Sequence, residues 1–211
     1  FHKGHLYQLN QIKSTLNPDG ILCIMSGNFV QRGEPAIFNK WSRAEMALHG
    51  GVDLVVELPT CFSTSTAEIF AESSIRLLNK TKIVKSICFG IEKYNKRELQ
   101  LLSNLLAEEP DLLSCLMKKH LKNGISFASA RQQAILEYLS NENIDCDLNV
   151  ISDILNKPNS ILALEYIKSI IKTNSKIKIY PIERLGADYH DNTLKTAYPS
   201  ATAIRHALIS D

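Results

Sequence analysis

The chain has 211 residues, 45% hydrophobic and 22% charged, with a formal net charge of +2. That composition is ordinary for a globular chain able to bury a sizeable core, and its charge balance demands no nucleic-acid partner. Five cysteines, none closely spaced, argue against a disulfide framework or a zinc site and fit a reducing cytosol, while no apolar run has the length of a membrane span or the form of a signal peptide.

Residues 4–15 read as a helix, with Leu6, Leu9 and Ile12 spaced by three. A turn at 17–20 leads into the apolar run 21–25, the pattern of a strand buried on both faces. A polar loop follows over 26–40. Ser42 and Glu45 have capping-box spacing and predict a helix to about His49, ended by Gly50 and Gly51. Residues 53–58 form the next apolar strand, closed by Pro59. Ser65 and Glu68 predict a second capping box and a helix to about Asn79. Residues 86–89 make a third strand, with Gly90 at its carboxyl end. Cys23 and Cys88 lie inside these strands as small hydrophobes.

Residues 96–141 are helical in pattern, broken at Pro110 and Gly124, and carry a basic run at 118–122 that reads as a solvated helix face. Ile161, Leu164, Ile167 and Ile171 mark a helix after Pro158. Residues 177–182 are the last strand, and a polar loop over 183–199 leads to a helix beginning at Ser200. Alternating strands and helices with short connections predict an α/β fold, a Rossmann-like parallel sheet with crossover helices and a helical insertion. The expected division is an α/β domain of residues 1–95 and 156–211 with the insertion at 96–155. The chain begins at Phe1, without a strand ahead of the first motif, and ends soon after Ser200, so the expected whole protein extends at both ends.

The first motif is His2-Lys3-Gly4-His5 at a helix start. Two imidazoles there can donate to phosphate oxygens. A glycine lets a nucleotide lie close, and the helix end adds free N–H groups and a positive dipole. The second is Ser200-Ala201-Thr202-Ala203-Ile204-Arg205, where two hydroxyls and a guanidinium suit a triphosphate. Ligands of such sheets bind outside the carboxyl ends of the strands, which gathers both motifs with the 26–40 loop and Gly90.

Together these motifs resemble the HxGH nucleotidyltransferase superfamily. The blocks 1–7 (FHKGHLY), 25–36 (MSGNFVQRGEPA), 40–41 (KW), 43–48 (RAEMAL), 51–59 (GVDLVVELP) and 186–191 (GADYHD) narrow the likeness. They are similar to those of the bacterial tRNA(Met) cytidine acetate ligase family, and the helical middle matches least. The resemblance implies a cytoplasmic ATP-dependent ligase that forms acetyl-adenylate and acetylates N4 of the wobble cytidine of elongator tRNA(Met). By motif it implies that Phe1, His2, Gly4, His5, Gly90, Asn159, Arg184, Ser200, Thr202 and Arg205 bind ATP, with His2 and His5 catalytic. One departure is that Gly90 is followed by Ile91-Glu92-Lys93, where smaller residues are expected.

The chemistry asks for positioning and charge stabilisation, since acetate is already ionised. Mg²⁺ is expected on the ATP phosphates, with no protein metal site, and the expected partners are acetate and the tRNA, with no membrane. Lys40, Arg32 and Arg43 are balanced between an RNA or phosphate surface and internal pairing. Trp41, the only tryptophan, fits packing at a helix start better than a base-stacking platform. His190 and Asp191 are balanced between a structural hydrogen bond and catalysis. Competing functions are adenylylation of a small phosphorylated metabolite and a non-catalytic RNA- or protein-binding domain of the same fold.

Overall fold

The computed structural model describes residues 1–31, 33–185 and 201–210, without the side chains of Thr202, Ile209 and Ser210. Helix α1 (Lys3–Leu16) leads to strand β1 (Leu22–Ser26), helix α2 (Lys40–His49) and strand β2 (Leu54–Leu58). A short helix α3 (Thr60–Ser63) and helix α4 (Ala67–Thr81) precede strand β3 (Ser86–Ile91). Helices α5 (Lys96–Glu108), α6 (Asp111–Leu121), α7 (Phe127–Asn141), α8 (Leu148–Asn156) and α9 (Pro158–Lys172) separate it from strand β4 (Lys178–Glu183). Helix α10 (Ala201–Ser210) follows.

Among the described residues the named strands all pair in parallel, as the alternating pattern requires. Among the described residues it forms two ladders rather than one continuous sheet. In the first, β1 pairs β2 with Leu22 opposite Leu54 and Met25 opposite Glu57. In the second, β3 pairs β4 with Ser86 opposite Lys178 and Gly90 opposite Ile182. Helix α1 touches both. Its Leu9 is buried with Ala47 and Val52 against Cys23 and Val55 of the first ladder. Its Gln8 amide lies 3.9 Å from the Cys88 sulfur of the second. Helix α1, which carries the histidines at its amino end, is thereby seated on both ladders through its middle turn.

The larger core lies under β3. Ile91, Leu99, Leu102, Ile135, Leu139, Ile151 and Leu164 are essentially without exposure and knit β3 to α5, α7, α8 and α9. Burial of each such side chain contributes roughly 1.5–3 kcal/mol. Helix α8 goes unread in the sequence because it is short. Its start was legible: Asp147 accepts from the amides of Asn149 and Val150. Within this core Glu165 is buried, held by Arg131 at 2.6 Å and Lys168 at 2.9 Å, and Lys168 continues to Glu68 at 2.6 Å.

Both predicted capping boxes are displaced. Helix α2 is capped by Asn39, whose side chain accepts from the Ser42 amide at 2.9 Å. Helix α4 is capped by Thr66, not Ser65, because the Ser65 hydroxyl turns back to the Cys61 carbonyl at 2.6 Å, finishing α3. In each case another side-chain oxygen was one to three residues away, and the chain direction chose it. The turn from α2 into β2 places Gly51 at φ 101°, where a side chain would strain the backbone. All five cysteines are free, and burial pushes the Cys88 thiol up to about 11.

Candidate active site

Helix α1 opens with an interlocked pair of imidazoles. His2 is its N-cap: its Nδ1 accepts from the Gly4 amide at 3.1 Å, while the His5 Nδ1 accepts from the His2 amide at 3.3 Å. The ring centroids lie 3.8 Å apart. A nitrogen that accepts an amide proton carries none itself, so both rings are Nε2–H tautomers. Their environment keeps them neutral. Loss of hydration, with Arg184 acting in the same direction, lowers the His2 pKa to about 4. Loss of hydration, then His2, Arg184 and Arg43, lower that of His5 to about 3. By surface area His5 is an exposed residue. The pair offers two neutral donors beside cationic Arg184.

Gly4 has a role that the motif did not disclose. A Cβ there would come within 3.0 Å of His2 Cε1, tighter than ordinary contact. Glycine lets the His2 ring fold over the first turn and cap it. Phe1 lies against Gly50, where any Cβ would strike its ring, and its centroid is 5.4 Å from that of His5.

The second ladder supplies the facing side. The Arg184 amide donates to the Ile91 carbonyl at 2.9 Å just past the end of β4. The Arg184 stem would meet a Cβ on Gly90 at 3.4 Å, ordinary contact, so Gly90 leaves room here rather than preventing a clash. Beyond it, Glu92 reaches the start of α9 and binds Asn159 and Ser160. The fold therefore gathers His2, Gly4, His5, Gly90, Arg184 and, through Glu92, Asn159. Glu92 is the residue that sequence reasoning noticed but gave no role. A carboxylate just past a strand end, facing an Asn-Ser helix start, was the available signal.

The 26–40 loop folds back on itself, with Phe29 bridging Pro35 and the Asn28 carbonyl accepting from the Ala36 amide at 2.8 Å. Arg43 is committed internally, donating to the carbonyls of Ser26 at 3.0 Å and Gly27 at 2.6 Å. Lys40 pairs with Glu57 at 2.6 Å. Trp41 does not pack. The residue is 75% exposed because it shares the outer face of α2 with Glu45 and Leu48, and Lys40 Nζ lies 5.3 Å from its ring centroid.

Arg205 of α10 donates to the Pro35 carbonyl at 2.8 Å and pairs with Glu34 at 3.5 Å, tying the late motif to this loop. Arg32, His190, Asp191 and Ser200 lie outside the described residues, as does the Thr202 side chain. Among the described residues no group of three or more metal-ligating side chains occurs, and no helix is long and apolar enough to cross a membrane.

Comparison with known proteins accords with this geometry. The family model described as HIGH Nucleotidyl Transferase matches residues 1–211. A tRNA(Met) cytidine acetate ligase of Clostridium perfringens is 47% identical over 99% of this chain and 52% of its own length. That of Halothermothrix orenii is 44% identical over 99% of this chain and 50% of its own. The crystal structure of apo Thermotoga maritima TmcAL superposes with a TM-score of 0.93 at 40% identity, covering 100% of this chain and 49% of that one. The same protein bound with alpha-thio ATP gives 0.89 at 39% identity, covering 100% and 48%. The chain spans about half the length of the curated relatives it matches.

Proposed function

Because this chain belongs to the HIGH nucleotidyl transferase family, where its relatives are tRNA(Met) cytidine acetate ligases, we propose that it is the nucleotide-handling part of such a ligase. In this reading an acetate oxygen attacks the α-phosphorus of ATP, pyrophosphate leaves, and acetyl-adenylate forms. The N4 amine of the tRNA(Met) wobble cytidine then attacks the acetyl carbon, AMP leaves, and the amine loses a proton. The observation that carries the reading is the His2–His5 pair: two fixed Nε2–H donors at a helix start, beside the Arg184 charge.

The residues suit that chemistry. Acetate is already an anion and needs no general base, and negative charge grows on the phosphate oxygens as the P–O bond breaks. Neutral imidazole donors and a guanidinium stabilise it without a nucleophilic side chain. Magnesium would arrive on the triphosphate oxygens, since no protein cage for it occurs among the described residues. We read residues 1–95 and 156–211 as the nucleotide-binding α/β part and 96–155 as the helical insertion that braces α9. For the RNA, exposed Trp41 beside Lys40 offers a stacking face. A tRNA-modifying enzyme would work in the cytoplasm.

The test is acetate-dependent ATP–pyrophosphate exchange by the full-length protein. Exchange with acetate alone supports the ligase. Exchange only with a phosphorylated acceptor favours adenylylation of a metabolite, and no ATP binding at all favours a non-catalytic domain.

A further inference from the structure

The start of α9 is the kind of helix end that binds phosphate, and in this chain it is already filled. One oxygen of Glu92 accepts from the Asn159 amide at 2.9 Å and from Asn159 Nδ2 at 2.8 Å. The other accepts from the Ser160 amide at 2.8 Å and from Ser160 Oγ at 2.7 Å. Burial works to raise the Glu92 pKa, and the bonds from Ser160 and Asn159 overcome it and hold the group below its ordinary 4.5. Ser160 is buried and Asn159 half-buried.

This arrangement fixes which way the Asn159 amide faces. An ionised carboxylate only accepts, so Nδ2 must point at Glu92 and Oδ1 must point away. Among the described residues nothing donates to that Oδ1. Through Glu92, one residue past the end of β3, Asn159 is held at the carboxyl end of that strand, where parallel sheets bind ligands. The triphosphate carries only acceptors and is matched by His2, His5 and Arg184. An outward-facing carbonyl oxygen is matched by a hydrogen-bond donor, and in ATP the donors are the 6-amine of adenine and the ribose hydroxyls.

Resting on the ATP-binding reading above, we propose that Glu92 is a positioning residue. It locks Asn159 with Oδ1 outward, so that Asn159 reads a hydrogen-bond donor on the nucleoside half of ATP and makes no phosphate contact. Glu92 itself touches no nucleotide. Its carboxylate also denies the α9 start to phosphate, which leaves the α1 end for the triphosphate.

The experiment is equilibrium binding by the full-length protein of ATP, purine riboside triphosphate, 2′-deoxyATP and 3′-deoxyATP, each analogue lacking one donor. The wild type should lose roughly tenfold or more in affinity for one of the three, as expected when a half-buried acceptor is left unpaired. That analogue identifies the donor. In Glu92→Gln the amide of residue 92 can donate, Asn159 can turn over, and the discrimination should collapse. ATP would then bind about as weakly as that analogue binds the wild type. Asn159→Ala should lose the same discrimination, and the double variant should be no worse than either single one.

Equal binding of all four nucleotides by the wild type overturns the proposal. So does a folded Glu92→Gln that keeps the wild-type ratio, or one that weakens all four equally, since a helix support would act without regard to the base or sugar. Should Glu92→Gln fail to fold, retained discrimination in Asn159→Ala overturns it as well. A wild type that binds no nucleotide instead sinks the ATP-binding reading, and the proposal with it.

Discussion

His5 accepts the backbone amide of His2 on its Nδ1, and the two rings stack with centroids 3.8 Å apart. Together with the Gly4 amide on His2 Nδ1, this relationship sets the tautomer and the direction of both donors. It turns a sequence motif into a rigid feature of α1, and it separates what each histidine does for stability from what it does for chemistry.

Substitution at His2 should separate those roles. His2→Ala removes the cap on the Gly4 amide and should lower stability by about 0.5–2 kcal/mol. His2→Asn restores an acceptor at the cap position and should recover most of that loss in a urea melt. Neither carries the Nε2–H at its proper reach, so both should lower acetate-dependent exchange by on the order of 10²-fold. Full exchange in His2→Asn would show that the imidazole serves only as a cap.

The same pair should make folding sensitive to mild acid. The folded pKa values of about 4 and about 3 lie below the ordinary 6.5, so the unfolded chain binds more protons between these limits. Stability therefore rises with pH through that window: it is complete above the ordinary value and is lost as pH falls toward the folded ones. Carboxylates held low, such as Glu92, act in the same direction but only below their ordinary 4.5. Thermal melts at about pH 7.5, 6 and 5 should show the fall beginning between the first two, and His5→Asn should flatten it. An equal slope in that variant would assign the effect elsewhere.

Trp41 should matter to the RNA and not to the nucleotide. The residue is 75% exposed, so Trp41→Ala empties no core and should leave stability and acetate-dependent exchange unchanged. Base–aromatic stacking contributes about 1–3 kcal/mol, so KM for tRNA should rise roughly fivefold or more. Unchanged tRNA kinetics would remove Trp41 from the RNA surface.

Glu165 of α9 is the buried charge that holds Arg131 of α7 and Lys168 of its own helix. Glu165→Ala strands Arg131 beside the core, while Lys168 keeps Glu68. A loss of about 3–5 kcal/mol is expected in denaturant unfolding, with nucleotide affinity intact at a temperature where the variant is folded. A loss limited to nucleotide affinity would instead place Glu165 in the site.

Much of the fold was legible because it is written in local periodicity. Leu6, Leu9 and Ile12 mark α1, and the apolar runs at 21–25 and 86–89 mark strands whatever surrounds them. The breaks at Pro110 and Gly124 fall between observed helices for the same reason. Cap identity was less legible, since Asn39 and Ser42, or Thr66 and Ser65, carry equivalent oxygens and only the entering chain direction chooses between them.

By itself the sequence determined an α/β chain with parallel strands and a histidine pair at the start of its first helix, because such features follow from spacing along the chain. The tertiary structure alone decided that Trp41 faces outward, that Arg205 meets Pro35 and Glu34, that Arg43 serves the Ser26 and Gly27 carbonyls, and that Glu92 occupies the α9 start. Each is set by partners far apart in the chain. Hydrogen-bond direction and burial, which fix tautomer, charge and amide orientation, exist only once those partners meet.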